Sequence, residues 1–185
     1  MAQSFEFEVR RIYVKNRRGF TLVELLIVMV VIGILAAMMM FSSTEAEISA
    51  RAQNVVNNFN QITKAVNSWY FDKIAEGNNK QDLTQLIQDN IGEIKQYLRS
   101  NNPIELKVKT DTNAGDYVLI DCDDDWYVCY DTGDDTRLQG KFAGRAKTIG
   151  LYGLNSDVIN NNSVVKDGNY TGGKYVCMFV LDLDN

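Results

Sequence analysis

One uninterrupted apolar run near the start of the chain restricts its fold and location more than any other feature. From Leu22 to Phe41 the sequence reads LVELLIVMVVIGILAAMMMF, and Glu24 is the only charged residue in it. A helix needs about 20 predominantly apolar residues to cross a bilayer, and this run has that length. Basic residues precede the run, and Glu45 and Glu47 follow it. The positive-inside rule therefore predicts a single-pass protein of the cytoplasmic membrane, with its N-terminus in the cytoplasm and the rest outside.

Two other kinds of segment begin with basic residues followed by an apolar stretch. A secretory signal peptide has an apolar region of about 7–15 residues that ends at small residues, so this run is too long for one. A plain signal anchor fits both the length and the charges. Hydrophobicity alone therefore leaves open a signal-anchored extracytoplasmic binding domain that does not polymerise.

Charge is divided unevenly along the 185 residues, a length that suits one globular domain. Residues 1–19 carry a net charge of +3, whereas the remainder holds 14 basic and 22 acidic residues. An acidic body lacks the lysine and arginine surface that neutralises phosphates, so no nucleic-acid binding is expected. The chain has no His, which excludes His-dependent triads, and no Gly-rich phosphate loop follows a predicted strand. We therefore expect neither an enzyme nor a cofactor.

The helical pattern continues beyond the apolar run. Apolar residues recur at alternating steps of four and three, at Ile48, Ala52, Val55, Phe59, Ile62, Val66 and Trp69. This spacing predicts an amphipathic helix. It is expected to continue the membrane helix, because no Pro or Gly interrupts residues 34–76, and to end at Gly77.

The second half of the chain has the pattern of β-structure. A shorter helix is predicted over residues 81–99, and strands are predicted over 104–109, 117–122, 126–130 and 174–183. Residues 133–169 are rich in Gly and Asn and predict loops with a short helix over 142–148. The expected fold is α+β: a long N-terminal helix whose amphipathic half packs against a small antiparallel sheet.

A more specific motif lies at the start of the apolar run. Residues 17–26 read RRGFTLVELL, a basic segment that ends in Gly and is followed by an aromatic residue, a Thr and a Glu. Residues 15–40 resemble the class III signal of type IV prepilins and type II secretion pseudopilins. The resemblance implies a structural subunit of a type IV pilus or a type II secretion-type filament. Many pilins carry a Pro where this chain has Met38 to Phe41, a difference that favours a minor pilin or a pseudopilin.

The resemblance also implies roles for individual residues. Prepilin peptidase would cut after Gly19 and methylate the new N-terminus at Phe20. Glu24, with Thr21 in the same motif, would act in assembly, because in that family the acidic residue pairs with the N-terminal amine of a neighbouring subunit. The expected organisation is a leader over residues 1–19, a transmembrane half of the helix over 20–41, and an extracytoplasmic domain over 42–185.

Partners follow from the same resemblance: other pilin subunits, prepilin peptidase, a membrane assembly platform with its ATPase, and the lipid bilayer. The residues themselves support a role for Glu24. An acidic side chain within a membrane helix is penalised by about 2.5–3.5 kcal/mol at mid-bilayer and marks a functional site by default. Its place near one end of the run lowers that cost.

Three cysteines lie in the region predicted to be outside the membrane, where disulfides form: Cys122, Cys129 and Cys177. In a hairpin with a two-residue loop, Cys122 and Cys129 would share a face of the sheet. One disulfide is predicted, with its pairing open. The alternative is a structural metal bound by the three thiolates and an Asp.

Acidic residues cluster in the same hairpin and could supply oxygen ligands to Ca²⁺, the candidates being Asp121, Asp123 and Asp125. The spacing departs from a calcium loop, because Trp126 stands where an EF-hand loop needs Gly. A solvated acidic turn is the alternative.

Overall fold

The computed structural model describes residues 19–79, 86–87, 89, 91–98, 104–108, 112–122, 125–156, 159 and 163–182. Residues 1–18 of the predicted leader and Asp123, a candidate metal ligand, lie outside these residues. By its contacts the chain divides into two compact units, Met1–Ser42 and Ser43–Asn185.

A single helix of 54 residues, α1, runs from Leu22 to Ala75, which confirms the predicted continuity of the two helical patterns. It ends where the sequence indicated, since Gly77 adopts a φ of 92° and its N–H donates to the carbonyl of Ile74 at 3.0 Å. A side chain is strained at such a φ, whereas Gly adopts it readily.

The sheet has five strands: β1 (Leu106–Val108), β2 (Tyr117–Cys122), β3 (Asp125–Asp131), β4 (Leu151–Gly153) and β5 (Tyr175–Asp182). Their order across the sheet is β1-β2-β3-β5-β4. The four predicted strands are confirmed to within about two residues in their described parts. Strand β4 was not predicted, because three residues are too few to show an alternating pattern.

The pairing of β1 corrects the expectation of a purely antiparallel sheet. β1 runs parallel to β2, with Leu106 opposite Tyr117, while the other three pairs are antiparallel. The described part of the connection between them is held by side chains. Asp116 accepts from the Lys107 ammonium at 2.7 Å and from the Asn113 N–H at 2.8 Å. These bonds tie the residue just before β2 to Lys107 of β1 and to Asn113.

Burial and hydrogen bonding act in opposite directions on Asp116. Desolvation alone would raise its pKa, but the hydrogen bonds from Lys107 and Asn113 outweigh it, so the pKa lies below the ordinary value. The neighbouring Asp131 is fully buried and accepts from the Thr112 hydroxyl and the Gly133 N–H, both at 2.8 Å. Two acidic side chains therefore fix this end of the sheet.

The main core lies between the inner face of the sheet and the second half of α1. All seven members of the predicted stripe are buried: Ile48, Ala52, Val55, Phe59, Ile62, Val66 and Trp69. The Phe59 and Tyr117 rings meet edge to face with centroids 5.9 Å apart. The predicted packing of this stripe on the sheet is confirmed.

Short helices complete the domain: α2 (Ile91–Tyr97), α3 (Thr136–Ala143) and α4 (Ala146–Ile149). α2 falls within the predicted helix 81–99, of which residues 86, 87 and 89 are also helical and several others lie outside the described part. The single helix predicted over 142–148 is wrong. Two helices flank Gly144 instead, and the first begins early because the Asp135 carboxylate caps it by accepting from the Leu138 N–H at 3.1 Å.

α2 is joined to the end of α1 by polar contacts. Trp69 donates its indole N–H to Glu93 at 3.1 Å, and the Lys73 ammonium lies 3.3 Å from the same carboxylate. The hydrogen bond from Trp69 and then that from Lys73 lower the pKa of Glu93. Tyr97 donates to Asp72 at 2.7 Å, so both ends of α2 are tied to α1.

Candidate functional site

The residues singled out by the motif meet at the N-terminal end of α1. Thr21 is the last residue before the helix, and Glu24 is its third residue. The Thr21 N–H and hydroxyl donate to Oε2 of Glu24 at 2.9 and 3.0 Å, and the Glu24 N–H donates back to the Thr21 hydroxyl at 3.2 Å. This reciprocal arrangement is a capping box, which satisfies backbone N–H groups that a helix start leaves without partners.

The capping box fixes the position of the Glu24 carboxylate while leaving capacity for further contacts. Both hydrogen bonds from Thr21 end on Oε2. An ionised carboxylate has about four acceptor positions on its two oxygens. The side chain is exposed, so an amine from another molecule can reach it without disturbing the cap.

Gly19 and Phe20 precede the helix and are both exposed, Phe20 by 85%. A Cβ added at Gly19 would meet nothing within 4 Å, and Gly19 is not among the described glycines with a positive φ. Neither space nor backbone conformation therefore requires Gly at this position in the described structure.

The part of α1 that follows presents apolar side chains on every side. Every residue from Leu22 to Met40 is exposed, and the most apolar stretch of α1 has a mean hydropathy of 2.8 with none of it buried. Soluble proteins rarely leave continuous apolar patches of more than a few hundred Å² in water. Of the residues described, α1 is the one helix long and apolar enough to cross a membrane.

The three cysteines lie in the strands of the sheet. Cys129 on β3 stands directly opposite Cys177 on β5, and their sulfur atoms form a disulfide. Cys122 is half-buried and lies outside that bond. The hairpin register puts Val118 opposite Cys129, so Cys122 shares its face but lies about 13 Å further along the strand at about 3.3 Å per residue.

The candidate metal ligands are only partly within the described residues. Asp121 and Asp125 are half-buried on adjacent strands, and Asp121 lies opposite Trp126 in the hairpin register. In the described ranges, no group of three or more Cys, Asp or Glu side chains is arranged to hold a metal ion.

The sequence reasoning missed the bond between Thr21 and Glu24. The signal for it was present, because Thr-x-x-Glu directly before an apolar run is the pattern of a capping box. The motif therefore specifies a contact within the chain in addition to the contact between subunits that the resemblance implies.

Comparison with known proteins gives one match, at the same end of the chain. A family model described as the prokaryotic N-terminal methylation motif matches residues 14–40. No curated protein and no solved structure matches the chain. The match spans the exposed Gly19 and Phe20, the capping box and most of the apolar run. Residues 14–40 therefore carry the prokaryotic N-terminal methylation motif, which is the class III signal of type IV pilins and pseudopilins.

Proposed function

We propose that this chain is a pilin or pseudopilin, in the role of a minor or a main subunit, that polymerises from the membrane into a type IV pilus or a type II secretion-type filament. The observation that carries the proposal is the methylation motif at residues 14–40, placed on an exposed apolar helix that starts with a fixed carboxylate. The motif belongs to structural proteins, and we assign the chain no catalytic activity.

The first step is removal of the leader. Prepilin peptidase would cut between Gly19 and Phe20 and methylate the Phe20 amine. The exposure of both residues supports access by a peptidase. Among the described residues nothing creates a steric or conformational need for Gly19, which supports recognition by the peptidase as the reason for a glycine there.

The next step is assembly through Glu24. Cleavage gives each subunit a cation at Phe20 beside an anion at Glu24, and methylation keeps that positive charge. Two unit charges 4 Å apart attract by about 4 kcal/mol at an effective dielectric of 20, before the cost of desolvation is subtracted. Pairing between neighbouring subunits is therefore most favourable in the apolar interior of a filament. It also sets the axial position, since a displaced neighbour would leave both charges buried and unmatched.

Thr21 would act by holding the carboxylate for that contact. Its hydroxyl and N–H both bind Oε2, so Glu24 occupies one position before a neighbour arrives. A side chain that is already ordered loses less entropy on binding.

Orientation and compartment form a further part of the proposal. The N-terminus would lie in the cytoplasm and residues 42–185 outside, first at the cytoplasmic membrane and then in a periplasmic or cell-surface filament. The disulfide between Cys129 and Cys177 supports this side of the membrane, because disulfides persist in oxidising compartments. The partners are other subunits, prepilin peptidase, and the assembly platform with its ATPase.

The test compares two substitutions of the same kind on one helix, Glu24→Gln and Glu47→Gln. Both remove one negative charge from an exposed side chain, but Glu47 lies beyond the apolar run. We expect Glu24→Gln to reduce the sheared-fibre fraction by at least about tenfold, equivalent to about 1.4 kcal/mol. Leader removal and membrane insertion should stay at the parental level, and Glu47→Gln should resemble the parent.

Normal incorporation of the Glu24→Gln protein would contradict charge pairing for this subunit. Two variants of Thr21 then refine the result. Thr21→Val removes the hydroxyl at nearly constant volume and should lower incorporation, whereas Thr21→Ser keeps the hydroxyl and should restore it. A chain that keeps residues 1–19 and never enters fibres would favour the signal-anchored binding domain.

A further inference from the structure

A polar groove lies on the surface of the domain beside α1 and α2. Its lining consists of three amides, an ammonium and a phenol: Asn57, Asn60, Gln61, Lys64 and Tyr97. It has a volume of about 550 Å³. We call these five residues the amide groove.

The two helices hold the amide groove in place. Four of its residues lie on successive turns of α1, on the side away from buried Phe59 and Ile62. The fifth, Tyr97, donates its hydroxyl to Asp72 at 2.7 Å. Amides carry both donors and acceptors, so the groove offers hydrogen-bond partners of both kinds to a polar surface.

Charge distinguishes this part of α1 from the rest of the domain. No acidic residue occurs between Glu47 and Asp72, where the charged residues are Arg51 and Lys64. The unit from Ser43 to Asn185 contains 21 acidic and 14 basic residues. All 21 acidic residues therefore lie outside the segment that forms most of the groove.

We propose that the amide groove binds the acidic surface of a second copy of this chain. The inference rests on the proposed polymerisation and adds the surface through which the domains meet. Domains that each carry a net charge of −7 repel one another. Repulsion is weakest where the acidic surface meets the four groove residues on α1, which include Lys64 and no carboxylate, whereas Asp72 borders the groove only at Tyr97. Lys64 adds an attraction to that contact.

The geometry of such a contact also suits a filament. The groove and the acidic surface are different parts of the same molecule, so the contact joins unlike faces. Contacts between unlike faces either close into rings or extend as open helical polymers, whereas a two-fold dimer requires one face to bind itself. A groove-to-acid contact can therefore be repeated along a fibre.

The test uses the full chain in its membrane and a matched pair of charge reversals, Lys64→Glu and Lys147→Glu. Both lysines are exposed, and Lys147 lies on α4, outside the groove. Like charges placed together at an interface are strongly disfavoured, so we expect Lys64→Glu to lower the sheared-fibre fraction about tenfold. Lys147→Glu should stay within about twofold of the parent. Leader removal and the thermal unfolding of both variants should be unchanged.

A photo-crosslinking amino acid in place of Asn60 identifies the occupant. We expect a crosslink in the fibre fraction to an acidic segment of a second copy. A crosslink to a different protein, or the monomer alone, would overturn the proposal. Equal fibre fractions for the two lysine variants, or an equal loss in both, would also overturn it. Absence of the parent chain from fibres would refute the proposed polymerisation itself, so the two failures are distinguishable.

Discussion

The two halves of α1 share one backbone helix but differ in what surrounds their side chains. From Leu22 to Met40 every side chain is exposed, whatever its direction. From Ile48 to Trp69 the apolar side chains lie on one stripe and are buried by the sheet of the same chain. The apolar side chains of the first half must be covered by lipid or by another molecule. Those of the second half are covered by the domain of the same chain.

The distribution of apolar residues along α1 therefore predicts the helix and also the kind of surface that covers it. An apolar surface on all sides cannot be covered by one small sheet, so it suits lipid or the neighbouring helices of a polymer. An apolar stripe formed by every third or fourth residue covers one side of a helix, and one face of a sheet can bury it. The two halves of α1 should therefore respond differently to substitution.

The largest expected effect comes from removing the second half of α1. A fragment of residues 45–185 should unfold cooperatively, whereas a fragment of residues 77–185 should show no cooperative transition. Each large buried side chain that is lost costs about 2–5 kcal/mol, and a whole domain has only about 5–15 kcal/mol of stability. Circular dichroism during thermal unfolding distinguishes the two. Equal unfolding transitions for the two fragments would show that the helix contributes nothing to the stability of the domain.

A single substitution in each half isolates the same contrast. Phe59 is fully buried against Tyr117 and Met39 is 74% exposed. Phe59→Ala should lower the free energy of unfolding of the domain by about 3–5 kcal/mol, and Met39→Ala should leave it unchanged. Denaturant titration of the detergent-solubilised chain measures both. A comparable loss from Met39→Ala would contradict the assignment of the apolar run to an external environment.

The disulfide should contribute somewhat less than the Phe59 ring. Replacing Cys129 and Cys177 by Ala should cost about 2–4 kcal/mol, because a bond closing a long loop restricts the unfolded chain. Because both cysteines are fully buried, the chain is unfolded in denaturant before alkylation. Mass spectrometry should then find both residues unlabelled without reduction and labelled after it. Labelling of both without reduction, with zinc bound, would favour the metal site instead.

The smallest expected effect is a loss of stability in acid, confined to the domain. Three carboxyl groups of the domain, those of Glu45, Glu93 and Asp116, have pKa values below the ordinary ones. The main cause is the hydrogen bond from Lys141 for Glu45 and the hydrogen bond from Trp69 for Glu93. At Asp116, hydrogen bonds outweigh the desolvation that would raise the pKa. A carboxyl whose pKa is lower in the folded state stabilises the fold above its unfolded pKa. That contribution is lost as the pH falls through the folded value.

The midpoint of thermal unfolding should therefore be constant down to the ordinary carboxyl pKa values of about 4, and it should decrease as the pH is lowered over about two units below them. Asp116→Asn should make this dependence shallower, since it removes one of the three groups. A midpoint that is constant over this range would show that these ion pairs contribute nothing to the fold.

Those features of the fold that depend on neighbouring residues in sequence could be predicted, and those that depend on long-range register could not. The stripe from Ile48 to Trp69 is visible in one segment, because the helix period is local. Next to the parallel pair of β1 and β2, Asp116 binds Lys107 of β1 and Asp131 binds Thr112. Both resemble surface residues in the sequence but are buried. Buried acidic side chains are uncommon, so the sequence alone predicts that these two are exposed to solvent.

The same distinction applies to the sites. Gly19, Phe20 and Glu24 lie within one short motif, so their grouping at the helix start needed no tertiary information. Cys129 meets Cys177 across 48 residues of sequence, and only the register of β3 with β5 brings them together. The sequence alone does not specify the pairing for that reason. The capping box was predictable but overlooked.

The central claim is that the chain is processed as a prepilin, and the mass of its mature N-terminus tests that most directly. Intact-mass and N-terminal peptide analysis of the protein from its native membrane should show a chain that starts at a methylated Phe20 and lacks residues 1–19. A Gly19→Leu variant, which makes the cleavage position bulky without disturbing any packing in the described structure, should keep the leader. A mature chain that still begins at Met1, or one that begins beyond Phe41, would contradict the account.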